Sequence, residues 1–152
     1  EVEREIDPTA RQLTGFELAR ARAAIPRVGS LDRQRAGCSD VYREALSGVA
    51  DIEIPASEQG TPLFNFPVLV PDKPSLLREA KARSVEIIAW PNTTVISGID
   101  DPAALATLGY EAGTCPVAER VASRLIGLPT HPRTTRRHLD RTIRFLSQRY
   151  GV

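Results

Sequence analysis

The sequence predicts an α+β fold, a small and mostly antiparallel sheet with helices covering one face. Three observations carry that reading. Segments with helical periodicity stand at both ends and enclose runs with strand character, in the order helix, helix, strand, strand, helix, strand, helices. Proline and glycine punctuate most junctions between them. A length of 152 residues, 41% hydrophobic and 26% charged, suits one ordinary globular core, because a chain of this size buries about two thirds of its unfolded surface.

Residues 1–14, charged and polar with Pro8, read as a lead-in, and residues 15–152 as a single domain. Residues 15–25 carry Phe16, Leu18, Ala19, Ala21, Ala23 and Ala24, a small-residue helix suited to close packing, which Pro26 bends or breaks. Ser30 or Asp32 opens a second helix to about Leu46. Its inward residues are Leu31, Val41, Ala45 and Leu46, its outward ones Arg33, Arg35, Arg43 and Glu44, and Gly48 stops it. Strand signals follow at 51–54 and at 62–70, where Leu63, Phe64, Phe66, Val68 and Leu69 cluster and Pro67 marks an edge or a bulge. The turn at 72–75 leads into a helix carried by Leu76, Leu77, Ala80 and Ala82 to about Arg83, and 85–90 reads as a third strand. A loop-rich passage at 91–101 precedes a short helix at 102–108.

Two capped helices joined by a stiff elbow close the chain. Pro116 presets φ where a first turn has no use for an N–H, and Glu119 places negative charge near the positive end of the helix. Val117, Val121 and Leu125, with Ala118, Ala122 and Ile126, give that helix one apolar face, and Gly127 and Pro129 stop it. Leu139, Ile143 and Leu146 form the stripe of the last helix.

Composition excludes several classes of function. No apolar run approaches the roughly 18 residues that span a bilayer, and residues 1–5 are too charged for a signal peptide, so a cytoplasmic protein without a membrane partner is expected. With 20 basic and 19 acidic residues the net charge is +1, and no global field attracts nucleic acid. Cys38 and Cys115 lack metal-ligand spacing and read as reduced structural thiols. There is no internal repeat and no glycine-rich phosphate loop. The chain has no methionine, even at position 1, from which we expect a piece of a longer protein.

No group of residues stands out as catalytic or as a metal site. His131, between two prolines, and His138 read as structural or surface residues, since local ligands are too few for a metal. Cys115 begins a helix, a position that can activate a thiol, but no base accompanies it, so a buried or capping thiol is favoured. Arg133, Arg136, Arg137, Arg141, Arg144 and Arg149 have the density that phosphate contacts need. Stacking aromatics are scarce, and a solvated helix face is favoured over a nucleic-acid surface. Imine chemistry needs a desolvated lysine, and the two present, Lys73 and Lys81, read as exposed. Trp90-Pro91-Asn92 follows a strand and starts a loop. It reads equally as a binding element or, through Trp90, as a core plug.

Cys115-Pro116-Val117-Ala118-Glu119, Leu128-Pro129-Thr130-His131-Pro132 and the closing Ile143-Arg144-Phe145-Leu146 resemble the carboxy-terminal signature of the StrS/DegT-type nucleotide-sugar aminotransferases. Residues 15–24 with Arg35, Ala36, Tyr42 and Leu46 resemble that family's helix pair. Phe64-Asn65-Phe66-Pro67-Val68 resembles its strand, and 81–89 its helix-to-strand passage. Each motif is weak alone, and their order carries the weight.

The resemblance implies the carboxy-terminal small domain of a dimeric, fold-type I pyridoxal-phosphate enzyme. Such an enzyme moves an amino group from glutamate or glutamine to a nucleotide-linked keto-sugar. It further implies that the cofactor lysine belongs to a large domain preceding Glu1, that this chain alone binds no pyridoxal phosphate, and that its partners are that domain, a second subunit and the sugar substrate. The loop approaching the sugar would begin at Trp90 and Asn92, the expected substrate-binding residues. Where the family tends to carry Asn-x-Arg for the neighbouring subunit's cofactor phosphate, this sequence has Ala10 and Gln12 around Arg11. A stand-alone, non-catalytic scaffold or interaction module built on the same fold is the alternative, since a fold does not fix a function.

Overall fold

The computed structural model describes residues 14–91, 93–94, 98–99 and 101–151, and its centre is an antiparallel pair of strands, β1 (Asn65–Leu69) and β2 (Leu125–Pro129). Their register sets Phe66 opposite Leu128, Pro67 opposite Gly127 and Val68 opposite Ile126. Each strand has one further neighbour, joined by a single bridge: Glu53 to Leu69 on the β1 side and Ile88 to Gly127 on the β2 side, both antiparallel. The α+β reading holds, but the predicted strands at 51–54 and 85–90 shrink to these bridges.

Proline explains the shrinkage. Glu53 and Leu69 exchange both backbone hydrogen bonds, so the next such pair along the ladder would be Pro55 with Pro67, and neither has an N–H to give. Ile88 and Gly127 exchange both of theirs at 2.8 and 2.9 Å, and the next partner of Glu86 would be Pro129, which also cannot donate.

Helices cover one face. The first, α1 (Gly15–Ala24), opens with a reciprocal cap in which Thr14 Oγ1 accepts from the Glu17 N–H and Glu17 accepts from the Thr14 N–H. It buries none of its residues, contrary to the close packing expected of it; Phe16 and Ile25 are 71% and 67% exposed. Pro26 does not break the chain's course. It starts a short 3-10 turn, Ile25–Arg27, that runs directly into α2 (Val28–Leu46). Ser30 therefore lies inside the helix, its hydroxyl donating back to the Arg27 carbonyl, and neither it nor Asp32 is a cap. The buried stripe of α2 is Cys38, Ser39, Tyr42 and Leu46, while Ala45 is exposed. Arg35 and Arg43, expected outward, are half-buried over the rings of Phe64 and Phe66 at 5.5 and 5.6 Å.

On the same face, α3 (Lys73–Ala82) contributes Leu76 and Ala80, and α6 (Arg136–Tyr150) contributes Leu139, Thr142, Phe145, Leu146 and Tyr150. These meet Tyr42, Phe66, Val68, Ile126 and Leu128 in one core. Arg149 of α6 is not on a solvated face. It bonds Asp72, Glu79 and Ser75, while Tyr150 donates to Asp72, so α6 is stapled to the start of α3. The short α4 (Pro102–Thr107) and α5 (Pro116–Arg124) lie between.

The elbow differs most from expectation. The apolar run that suggested a helix through Ile126 is helical only to Arg124; Leu125 turns extended at φ −72°, ψ 128°, and residues 125–129 form β2. The Arg124 carbonyl accepts from the Val70 N–H at 3.0 Å, so the ladder with β1 captures the backbone where a helix would have continued. Gly127 and Pro129 are strand residues rather than helix stops. No helix among the described residues is long and apolar enough to cross a membrane.

Candidate functional site

Alternation along the two strands sends Phe66, Val68, Ile126 and Leu128 into the core and leaves Asn65, Pro67, Leu125 and Gly127 on the opposite face. With Phe64, Ile88 and Trp90 these residues line an open, largely apolar groove of ≈ 520 Å³. Gly127 is its floor. A Cβ there would stand 3.1 Å from Asn65 Cβ and 3.4 Å from Ile88 Cβ, so a side chain would crowd both neighbours and fill the space.

The rims are held by buried polar groups. Thr130, fully buried, sets its hydroxyl 2.7 Å from both the Leu63 and the Phe64 carbonyls and fixes the backbone beneath the 73%-exposed Phe64 ring. On the other side Trp90 is 53% exposed, which settles one earlier alternative: it stands on the groove and is not a core plug. Behind it lies Lys73, only 7% exposed, whose Nζ donates to the Pro91 carbonyl at 2.5 Å and to the Ala122 carbonyl at 2.8 Å. This corrects the expectation of a surface lysine. Burial holds its ammonium below the usual lysine value. Lys81 is exposed as expected.

The second expected binding residue, Asn92, lies outside the described residues, as do Ala10 and Gln12. Beyond Trp90, a second depression of ≈ 460 Å³ is lined by Thr93, Thr94, Leu105 and Tyr110 among others. Glu119 borders this region and does more than face the helix dipole. Its Oε1 accepts from the Gly113 N–H at 2.8 Å, the Cys115 N–H at 3.2 Å and the Tyr110 hydroxyl at 3.0 Å, and these bonds, led by that from Gly113, hold its carboxyl below the usual range. Cys115 occupies the N-cap position with its thiol exposed and making no cap bond, so it is neither buried nor a capping group.

The histidines are structural. His131 Nε2 lies 3.2 Å from Glu86 while its Nδ1 accepts from the Arg133 N–H, and His138 Nδ1 accepts from the Thr135 N–H in the cap of α6. Among the described residues no three of His, Cys, Asp and Glu cluster to hold a metal. The groove can therefore bind and orient a partner through stacking and apolar contact, and its described side chains supply no nucleophile with a base.

Sequence reasoning missed Lys73 and Gly127. One signal pointed to Lys73: a cation in the first turn of a helix opposes the helix dipole, so a lysine placed there has an unfavourable local setting to offset.

The sequence profile of the DegT/DnrJ/EryC1/StrS aminotransferase family matches residues 9–147. No curated protein matches the chain. Among solved structures, DesV of S. venezuelae, described in complex with a ketimine intermediate, superposes with a TM-score of 0.78 at 18% identity over 99% of this chain and 41% of its own. A DegT/DnrJ/EryC1/StrS aminotransferase from Brucella abortus gives 0.75 at 19% identity over 93% of this chain and 37% of its own. The putative sugar aminotransferase Spr1654 from Streptococcus pneumoniae, in its PMP form, gives 0.77 at 16% identity over 90% and 35%. This chain thus spans about two fifths of the length of such relatives. At these identities the likeness is one of fold, and the family follows from the profile: the chain belongs to the DegT/DnrJ/EryC1/StrS aminotransferase family.

Proposed function

We propose that residues 15–152 are the small, carboxy-terminal domain of a pyridoxal-phosphate-dependent aminotransferase acting on a nucleotide-linked keto-sugar, and that the domain closes over and shapes a site held mainly by a large domain. The observation that carries this reading is the groove on the sheet face opposite the core, with Trp90 and Phe64 exposed at its rims and no reactive pair among its described lining residues. Such a surface positions a bound group and excludes water, which raises the effectiveness of chemistry performed by other residues.

The described residues do not themselves fit the cofactor. An imine-forming amine must be free to attack a carbonyl, whereas Lys73 Nζ is committed to two backbone carbonyls and Lys81 is exposed and so not desolvated. Trp90, followed by Asn92, is the residue we assign to the sugar, because an indole face offers area at low entropic cost. A cytoplasmic homodimer is the assembly this reading calls for.

The test is the gene product in full. Reading the coding sequence upstream of Glu1 should reveal a cofactor lysine in the same frame, and the purified product should transfer an amino group from glutamate or glutamine to a nucleotide-linked keto-sugar. Trp90→Ala should raise KM about tenfold with a smaller change in kcat, a stacking contact being worth roughly 1.4 kcal/mol. A start codon immediately before Glu1 would instead favour the non-catalytic module.

A further inference from the structure

The two segments that flank the groove part company just beyond their last shared hydrogen bonds. Ile88 and Gly127 pair through both backbone groups, and an ideal ladder would next place Trp90 opposite Leu125. Trp90 leaves that ladder, its N–H donating to its own neighbour's carbonyl at Ile88, 3.1 Å away. On the other segment the Leu125 N–H bonds Val121, so the Ala122 carbonyl, which Ile126 would have served had α5 continued, has lost its helical partner. The carbonyls of Pro91, next to Trp90, and of Ala122, three residues before Leu125, are brought to one point by a side chain. Lys73 bridges them, with bonds of 2.5 and 2.8 Å and its side chain almost wholly closed off from water.

Its local setting opposes this placement. The ammonium sits in the first turn of α3, at the end of the helix dipole that repels cations, and no carboxylate pairs with it among the described residues. What it gains is contact with two carbonyl dipoles, one of them in the last turn of α5, where a cation is favoured.

We propose that Lys73 is a positioning residue, a side-chain rung that replaces the missing backbone pair and fixes Trp90 as one wall of the groove, ready to stack on a ring. The ring's identity as a sugar rests on the function proposed above, whereas the rung does not, and the experiment keeps the two apart.

Trp90 is the only tryptophan, and Lys73 and Lys81 are the only lysines, so both ends of the contact can be read without labels. The 152-residue chain, its Lys73→Met variant, which keeps the aliphatic stem, and its Lys73→Arg variant, which keeps a cation, are compared by acrylamide quenching of Trp90. Loss of the rung should raise the quenching constant about twofold in Lys73→Met and leave Lys73→Arg nearer the parent value. A purely structural lysine would lower the melting temperature and leave Trp90 quenching unmoved, and that result overturns the proposal. Should Lys73→Met fail to fold, limited acetylation of the unmodified chain decides the matter. Acetylation of Lys73 at least about tenfold slower than that of Lys81, with a rise in Trp90 quenching only once Lys73 is acetylated, supports the rung. Equal rates, or quenching that ignores Lys73 acetylation, overturn it. Failure of the sugar-transfer assay with quenching as expected would sink the proposed function alone.

Discussion

Thr130→Val isolates a single hydroxyl beneath the Phe64 rim of the groove. The exchange keeps the shape of a fully buried side chain, so it opens no cavity, and it removes one hydroxyl whose oxygen sits 2.7 Å from two carbonyl oxygens, those of Leu63 and Phe64. A hydroxyl carries one proton, so one net hydrogen bond is lost, worth about 1 kcal/mol, and the carbonyl left without a donor adds to that; we expect about 1–2 kcal/mol in all. Thr130→Ser is the counterpart, keeping the hydroxyl and giving up a methyl group worth about 0.8 kcal/mol. Urea unfolding followed through Trp90 provides the assay. With an m-value of about 1.5 kcal/mol/M, the midpoint of Thr130→Val should fall by about 1 M at unchanged m, further than that of Thr130→Ser. A valine variant as stable as the parent, or more stable than the serine variant, would show that the hydroxyl does not hold the rim and would refute the reasoning.

Other expectations concern charge and exposed surface. Burial works against ionisation of Asp72, but the hydrogen bonds from Tyr150 and Arg149 outweigh it and leave the carboxyl below its usual value. Its contribution is therefore complete above the unfolded value of about 3.9 and disappears as pH falls through the lower folded one, so Asp72→Asn should cost about 1 kcal/mol at neutral pH, and melting curves should converge with the parent near pH 2. Tyr150 titrates the other way. Burial and the neighbouring Asp72 carboxylate push its hydroxyl up to about 12, so its contribution persists below the usual value of 10.0 and is lost as pH rises from there through about 12, which Tyr150→Phe should abolish in an alkaline melting series. Glu119→Gln weakens the acceptor shared by Gly113, Cys115 and Tyr110, and amide exchange at Gly113 and Cys115 should accelerate about tenfold; unchanged exchange would count against the clasp. Phe16, Leu18, Ile25 and Val28 leave an apolar surface along α1 and its continuation, so sedimentation at high concentration should show self-association that Phe16→Ser with Ile25→Ser removes; a strictly monomeric parent would contradict this.

What could be read from the sequence was whatever depends on neighbours along the chain. The stripe of α6 and the turn into α3 at Asp72 follow from spacing within a few residues, and the structure keeps them. Residues 125–129 differ from the helix their pattern predicts because Leu125, Ile126 and Leu128 suit a helix as well as a strand. The choice was made by β1, some sixty residues earlier, whose register no local pattern reveals. Lys73 illustrates the same limit at the site. Its carbonyl partners lie 18 and 49 residues away, so apart from its unfavourable place in the first turn of α3 a residue type that is usually exposed gives no local hint of burial. Trp90 was recognised as notable for its place after a strand signal, but only the open face of the folded sheet distinguishes a groove wall from a plug.

The prolines that cut short both ladders also govern what else this sheet can join. A strand that keeps its outward N–H groups invites any extended segment to add to it, the first step of edge-to-edge aggregation. Here an incoming chain alongside β1 meets Pro67, while on the far side β2 ends in Pro129; each removes a donor from the row that a newcomer would need. The open face can thus stay available for a specific occupant while the margins of the same sheet discourage growth by strand addition.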